Sequence, residues 1–188
     1  KLGVNYALKT NQNIYFSWAV ANKEPSRGDF IDNAFGDIPV SERLQNMELG
    51  YQYLGTKTRV ETNVYYMNYK NQLVQTGELN DVGAAIRQNV DRSYRLGWEG
   101  SITQQLGKYF AIHGNLALSA NKIKAFDEAL FDYTDGFEKV VIAHKNTDIS
   151  FSPSVVSAIQ VMVKPMTNLE IEFSSKFVSK QYLDNTSN

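Results

Sequence analysis

The sequence predicts an all-β fold: an antiparallel up-and-down meander of about eight long strands, forming part of a transmembrane β-barrel. Three observations predict it. Apolar and polar residues alternate along stretch after stretch of the chain, the period of a strand with one apolar and one polar wall. The connections between those stretches alternate short and long, which gathers short turns at one end of a meander and long loops at the other. Most stretches run to about 9–11 residues, the length that crosses a bilayer at a tilt, whereas ordinary globular strands average about 5–6.

The pattern is plainest in residues 59–100. Here Val60, Thr62, Val64 and Tyr66 alternate with Arg59, Glu61, Asn63 and Tyr65. After a long polar loop, Tyr94, Leu96, Trp98 and Ile102 alternate with Arg95, Gly97, Glu99 and Ser101. The other elements repeat this plan in order. A first strand over residues 2–8 puts Leu2, Val4, Tyr6 and Leu8 on one face, and the polar turn Lys9-Thr10-Asn11-Gln12 follows it. A second over 13–21 sets Ile14, Phe16, Trp18 and Val20 against Tyr15, Ser17, Ala19 and Ala21. A long loop, 22–45, holds Glu24-Pro25-Ser26-Arg27-Gly28-Asp29. A third strand, 46–53, sets Met47, Leu49, Tyr51 and Tyr53 against Glu48, Gly50 and Gln52, and ends in the tight turn Leu54-Gly55-Thr56-Lys57. The fourth spans 59–69, a loop 70–88, and the fifth strand 89–103. The sixth, 109–121, sets Phe110, Ile112, Leu116 and Leu118 against His113, Asn115, Ser119 and Asn121. The loop 122–152 is long for a compact domain. The seventh strand covers 153–163, and Lys164-Pro165-Met166-Thr167 turns the chain into the eighth, 168–178. The apolar-face residues assigned to the third to sixth strands and the eighth, such as Tyr94, Leu96, Trp98 and Ile102 in the fifth, include no charge, as lipid requires.

Composition narrows the alternatives. The 188 residues suffice for one domain with a core, and the formal charge of −1 implies no polyanion partner, nucleic acid included. There is no cysteine, hence no disulfide. No run of about 18 apolar residues exists to form a transmembrane helix, which leaves a barrel open. The 11 tyrosines and 10 phenylalanines suit strands and a membrane interface. Alternation cannot say which way the apolar wall looks. A self-contained eight-stranded outer-membrane barrel, serving as adhesin or structural protein, therefore stays open, as does a soluble ligand-binding β-barrel. The polar wall, mostly Asn, Ser, Gln, Gly and Ala with both charge signs, fits a wet lumen. The chain starts without methionine inside an apparent strand and closes in a polar stretch, so a piece of a longer protein is expected.

Little points to catalysis, and no enzyme is expected. There is no phosphate-binding glycine loop and no nucleophile elbow. His113 and His144 lie far apart and read as solvated or hydrogen-bonded side chains. Glu170 and Glu172 share the polar face of the last strand, where solvation is the plainer reading. The acidic residues Asp127, Glu128, Asp132, Asp135 and Glu138 do not have the spacing of a calcium loop. No metal site and no cofactor follow. The loops do mix cations with aromatics: Arg27 with Phe30, Arg87 with Arg92, and Phe131, Tyr133 and Phe137. Such mixtures suit capture of an anionic chelate or small polar ligand, and they equally suit packing loops together.

Several segments carry a resemblance. They are Glu24-Pro25-Ser26-Arg27 after an aromatic strand; Glu42 followed by Glu48-Leu49-Gly50-Tyr51; and Tyr66-Met67-Asn68-Tyr69 leading to Gln72-Leu73-Val74. Asn89-Val90, Gly97-Trp98-Glu99, Phe151-Ser152-Pro153 and Tyr182-Leu183-Asp184-Asn185-Thr186 follow in order. Together they resemble the C-terminal half of TonB-dependent outer-membrane receptors, particularly those of Bacteroidetes related to ferric-siderophore transporters. The resemblance implies a barrel of about 22 strands around a plug domain, of which this chain supplies a part. The implied partners are outer-membrane lipid, the TonB complex acting through a plug outside this chain, and a small ligand such as a ferric siderophore. The implied ligand- or plug-facing residues are Glu61, Tyr65, Arg95 and Glu99 on the lumen wall, with Arg27, Arg87, Arg92 and Tyr133 from the loops.

Overall fold

The computed structural model describes residues 1–32, 38–80, 82–83, 85–132, 134, 136 and 138–187. Its elements are β1 (Leu2–Lys9), β2 (Gln12–Lys23), α1 (Arg27–Asp32), β3 (Glu42–Leu54), β4 (Thr58–Leu79), β5 (Ala85–Leu106), β6 (Phe110–Asp132), β7 (Glu138–Asp148), β8 (Val155–Met166) and β9 (Leu169–Val178). All the strands join one antiparallel sheet in the order β1-β2-β3-β4-β5-β6-β8-β9, with β7 paired beside the far part of β6. The predicted meander is present. It is an open sheet, with β1 and β9 at its edges.

Two expectations need correction. Residues 70–88 are not a loop: β4 continues to Leu79 and β5 begins at Ala85. Residues 122–152 are not a loop either, because β6 continues to Asp132 and a ninth strand, β7, returns beside it. The physical reason is that both faces of these extensions meet water or other protein. Charges such as Lys122, Lys124, Asp127 and Glu128 then follow one another without regard to face. The strand survives on its backbone ladder, which alternation does not report.

Below these extensions the register stacks the apolar residues into rows. Val4, Phe16, Leu49, Val64, Trp98, Leu118 and Val155 lie abreast on successive strands. In the middle of the sheet, on β3 and β4, burial runs opposite to that of a soluble protein. Leu49 is 54% exposed and Val64 46%, while their polar-wall neighbours Glu48, Asn63 and Tyr65 are half-buried. The apolar wall therefore looks outward and the polar wall is the sheltered one. At the upper margin of the apolar wall Tyr66 and Tyr94 pair at 6.3 Å, with the Lys124 ammonium 4.8 Å from the Tyr94 ring centroid. That is the girdle position of a membrane barrel.

The sheet divides at the long-loop end. Pairing of β5 with β6 stops at Ser93 opposite Ile123. Beyond it the β4–β5 hairpin and the β6–β7 hairpin pack against each other as a separate head. Val74, Val90, Ile123, Phe126 and Ile149 form its core, and Ile123 is fully buried. The backbones come so close that a Cβ on Gly77, at φ +84°, would lie 2.5 Å from the Ala129 carbonyl oxygen. The tail after β9 closes the head. Asn185 accepts from the Ser150 amide at 2.8 Å and donates to the Gln75 carbonyl at 2.8 Å. On the other side Asn89 holds the segment before β3. Its amide donates to the carbonyls of Val40 and Asn71 and accepts from the Val40 amide, at 2.7–3.0 Å.

Candidate functional site

The polar wall is built by register. Glu61 and Tyr65 stand on β4, and Arg95 and Glu99 on β5. Asn63 lies opposite Glu99, Tyr65 opposite Gly97, and Met67 opposite Arg95. On the other flank Glu48 of β3 lies beside Tyr65, and Tyr15 of β2 faces Gly50. The fold thus brings four of the expected residues, Glu61, Tyr65, Arg95 and Glu99, onto one patch. It adds Tyr15 and Glu48, which sequence reasoning had placed on the polar face without marking them as site residues. Their signal was parity alone.

The patch has fixed and unfixed polar groups. Glu61 accepts from Gln52 Nε2 and from the Arg59 guanidinium, each at 2.6 Å. Glu48 accepts from Asn46 Nδ2 at 2.6 Å. Arg95 lies with its guanidinium 5.8 Å from the Tyr69 ring centroid. Arg95 Nε and Asn46 Oδ1 are buried without a hydrogen-bond partner. Glu61 borders three depressions, two of them on this wall. One of about 300 Å³ also touches Asn63, Glu99 and Asn115. The other, about 390 Å³, touches Asn5, Asn13, Tyr15 and Gln52. This is a surface for hydrogen-bonding a polar body, with carboxylates and phenols in excess over cations. Among the described residues no group of three or more potential metal ligands gathers.

Two tyrosines lie flat on this wall because their partners are glycines. A Cβ on Gly50 would collide with the Tyr15 ring, and one on Gly97 with the Tyr65 ring. Gly97→Ala is therefore expected to lift Tyr65 and to cost about 1–3 kcal/mol. The check is a denaturant midpoint for G97A, Y65A and the pair. The pair should lose less than the sum, since removing the ring removes the collision.

The expected loop residues have separate fates. Arg27 is the exposed first residue of α1. Ser26 caps that helix: its hydroxyl accepts from the Asp29 amide at 3.3 Å, and the Asp29 carboxylate accepts from the Ser26 amide and hydroxyl at 2.7 Å. Arg87 reaches from β5 to the buried Asp29 at 2.7 Å. Burial alone would push the Asp29 carboxyl up, but the Ser26 hydrogen bonds and the Arg87 charge outweigh it and hold the carboxyl below its usual range. Arg87 thus ties α1 to the head. Arg92 is exposed, 3.8 Å from Asp91. Tyr133 lies outside the described residues. Of the histidines, His144 stands on β7, not in a loop, 2.8 Å from Glu128 and stacked on Phe126. His113 is 2.9 Å from the Thr103 hydroxyl.

Comparison with known proteins gives the wall its context. The family described as TonB dependent receptor-like, beta-barrel matches residues 1–158. No curated protein matches the chain. Among solved structures, the copper transporter OprC is similar at TM-score 0.72 and 15% identity, over 99% of this chain and 28% of its own. The siderophore receptor PiuA from Acinetobacter baumannii is similar at TM-score 0.71 and 15% identity, over 98% of this chain and 26% of its own. The ferric citrate transporter FecA follows at 0.69 and 20% identity, over 98% and 26%. At such identities the likeness is one of fold, and the chain spans little more than a quarter of each structure. With its apolar wall turned outward and its polar wall sheltered, this chain belongs to the TonB-dependent receptor β-barrel family.

Proposed function

We propose that this chain forms wall and head of an energised uptake receptor in the outer membrane of a Gram-negative bacterium. Its ligand is a ferric siderophore or a similarly scarce chelated nutrient. The ligand is first met by the head and then by the polar wall, and a plug moved through TonB admits it. The observation that supports this reading best is the polar patch of half-buried Glu61, Tyr65 and Arg95 with exposed Glu99, on the face opposite the outward apolar wall. The names of the similar solved structures, siderophore, ferric citrate and copper among them, support a metal chelate as cargo. No residue of the wall is assigned a catalytic step.

The test uses the full-length receptor in cells stripped of other iron receptors. Energy-dependent uptake of radiolabelled ferric citrate and of a ferric catecholate is compared between the natural protein and E61A/Y65A/R95A/E99A. Loss of the wall contacts is expected to lower uptake about tenfold or more, the scale of one charged hydrogen bond or better. Equal uptake by both, at equal amounts in the membrane, removes the wall from ligand handling. No uptake of either chelate by the natural protein removes the ligand class.

A further inference from the structure

We infer that the apolar wall carries a seat for one acyl chain of an anionic phospholipid in the leaflet on the short-turn side. This rests on the barrel standing in a membrane and not on which ligand it takes up. The wall is not evenly filled. Between β4, β5, β6 and β8 it has a groove of about 610 Å³, lined mainly by apolar-wall residues such as Trp98, Ile102 and Ile159, with Glu61, Ser101 and Asn115 also in its lining. Its floor is made by missing side chains. The Trp98 indole lies down over Gly100, where a Cβ would come within 2.8 Å of the ring. At Gly114 a Cβ would meet nothing nearer than Ile102 Cγ2 at 3.8 Å. The hollow is therefore open at Gly114 and walled by a ring at Trp98. In hydrocarbon such a hollow must be filled by something apolar and slender, because apolar surface there gains only from close packing.

Charge fixes which lipid. A lysine stands in or beside each short turn: Lys9, Lys57, Lys108 and Lys164. Lys164 is paired with Glu170 at 2.8 Å. Among the described residues Lys57 and Lys108 have no carboxylate within ion-pair distance, and both are exposed. Lys57 is bonded through its carbonyl to the Gln105 amide at 2.7 Å, directly below the groove. Ile102 lies three residues above Gln105, or about 10 Å along the strand at the usual rise. That is within the roughly 15 Å half-thickness of a bilayer core. An acyl chain in the groove therefore puts its phosphate at the level of Lys57 and Lys108. Lysines near a headgroup plane favour anionic over zwitterionic lipid, by about fivefold each.

The test is native mass spectrometry of the full-length receptor released from detergent, with phosphatidylglycerol or phosphatidylethanolamine added in separate titrations. One phosphatidylglycerol should stay bound under activation that strips the others. Gly114→Leu, which fills the hollow from the lipid side, should lose that one-lipid peak. Lys57→Gln with Lys108→Gln, on exposed turns, should keep the barrel and reduce phosphatidylglycerol to the level of phosphatidylethanolamine. Equal retention of both lipids by the natural protein, or an undiminished peak in Gly114→Leu, overturns the seat. The lipid variants leave Glu61, Tyr65, Arg95 and Glu99 in place, so failure of the seat and failure of the uptake reading are separate outcomes.

Discussion

Replacing Ile123 with alanine is expected to destabilise the head by about 2–5 kcal/mol, the range for emptying a buried isoleucine site. Ile123 is fully buried at the last paired position of β5 and β6. The groups around it cannot close the gap. Val74 and Val90 stand on one hydrogen-bonded hairpin and Phe126 on the other, so collapse would have to bend a ladder. The cavity should therefore persist and its cost fall in the upper part of that range. The measurement is amide hydrogen exchange on the full-length receptor. Residues 72–90 and 123–147 should lose protection, while β1 to β3 keep theirs. A uniform loss across the sheet, or none, would show that the head is not a unit of its own.

Val64→Arg is the second large effect, about 2–4 kcal/mol against folding into lipid vesicles, the cost of an arginine near the bilayer midplane. Val64 stands in the central apolar row. Its neighbour Asn63 is on the opposite wall, in line with Glu99. Asn63→Arg adds the same charge one residue away and should change stability little, since it meets water and a carboxylate. Equal penalties at 63 and 64 would contradict the assignment of the walls.

Legibility in the sequence followed the solvent. Where lipid lies on one side and water on the other, each residue must choose, so Leu49, Val64 and Trp98 wrote their facing into the order of the chain. Strand count and turns in that zone were readable, and so was the polar patch of Glu61, Tyr65, Arg95 and Glu99. Tyr15 and Glu48 were readable as polar-face residues but not as neighbours of the patch, because register, not parity, makes them so. The head was not readable. Val140, Val141 and Ile142 run consecutively and Lys122 to Lys124 interrupts an apolar pattern with charge, so β7 and the end of β6 show no period. The length of 122–152 was the one hint that structure was hidden there. Arg87 illustrates the limit for loops. Its charge suited an anionic ligand, but only the fold shows that Asp29, 58 residues away in sequence, already holds it.

The division of the sheet above Ser93 and Ile123 has a thermal consequence. The head buries apolar side chains away from water, so its opening carries the large positive heat capacity of apolar hydration. The wall keeps its apolar side chains in hydrocarbon whether or not the head is closed, and contributes no such term to that opening. The cohesion of the head should therefore weaken on cooling, as hydrophobic contacts in water do, while the backbone ladder of the wall is indifferent. The same polypeptide has one part whose tightness depends on temperature through water and another whose tightness does not.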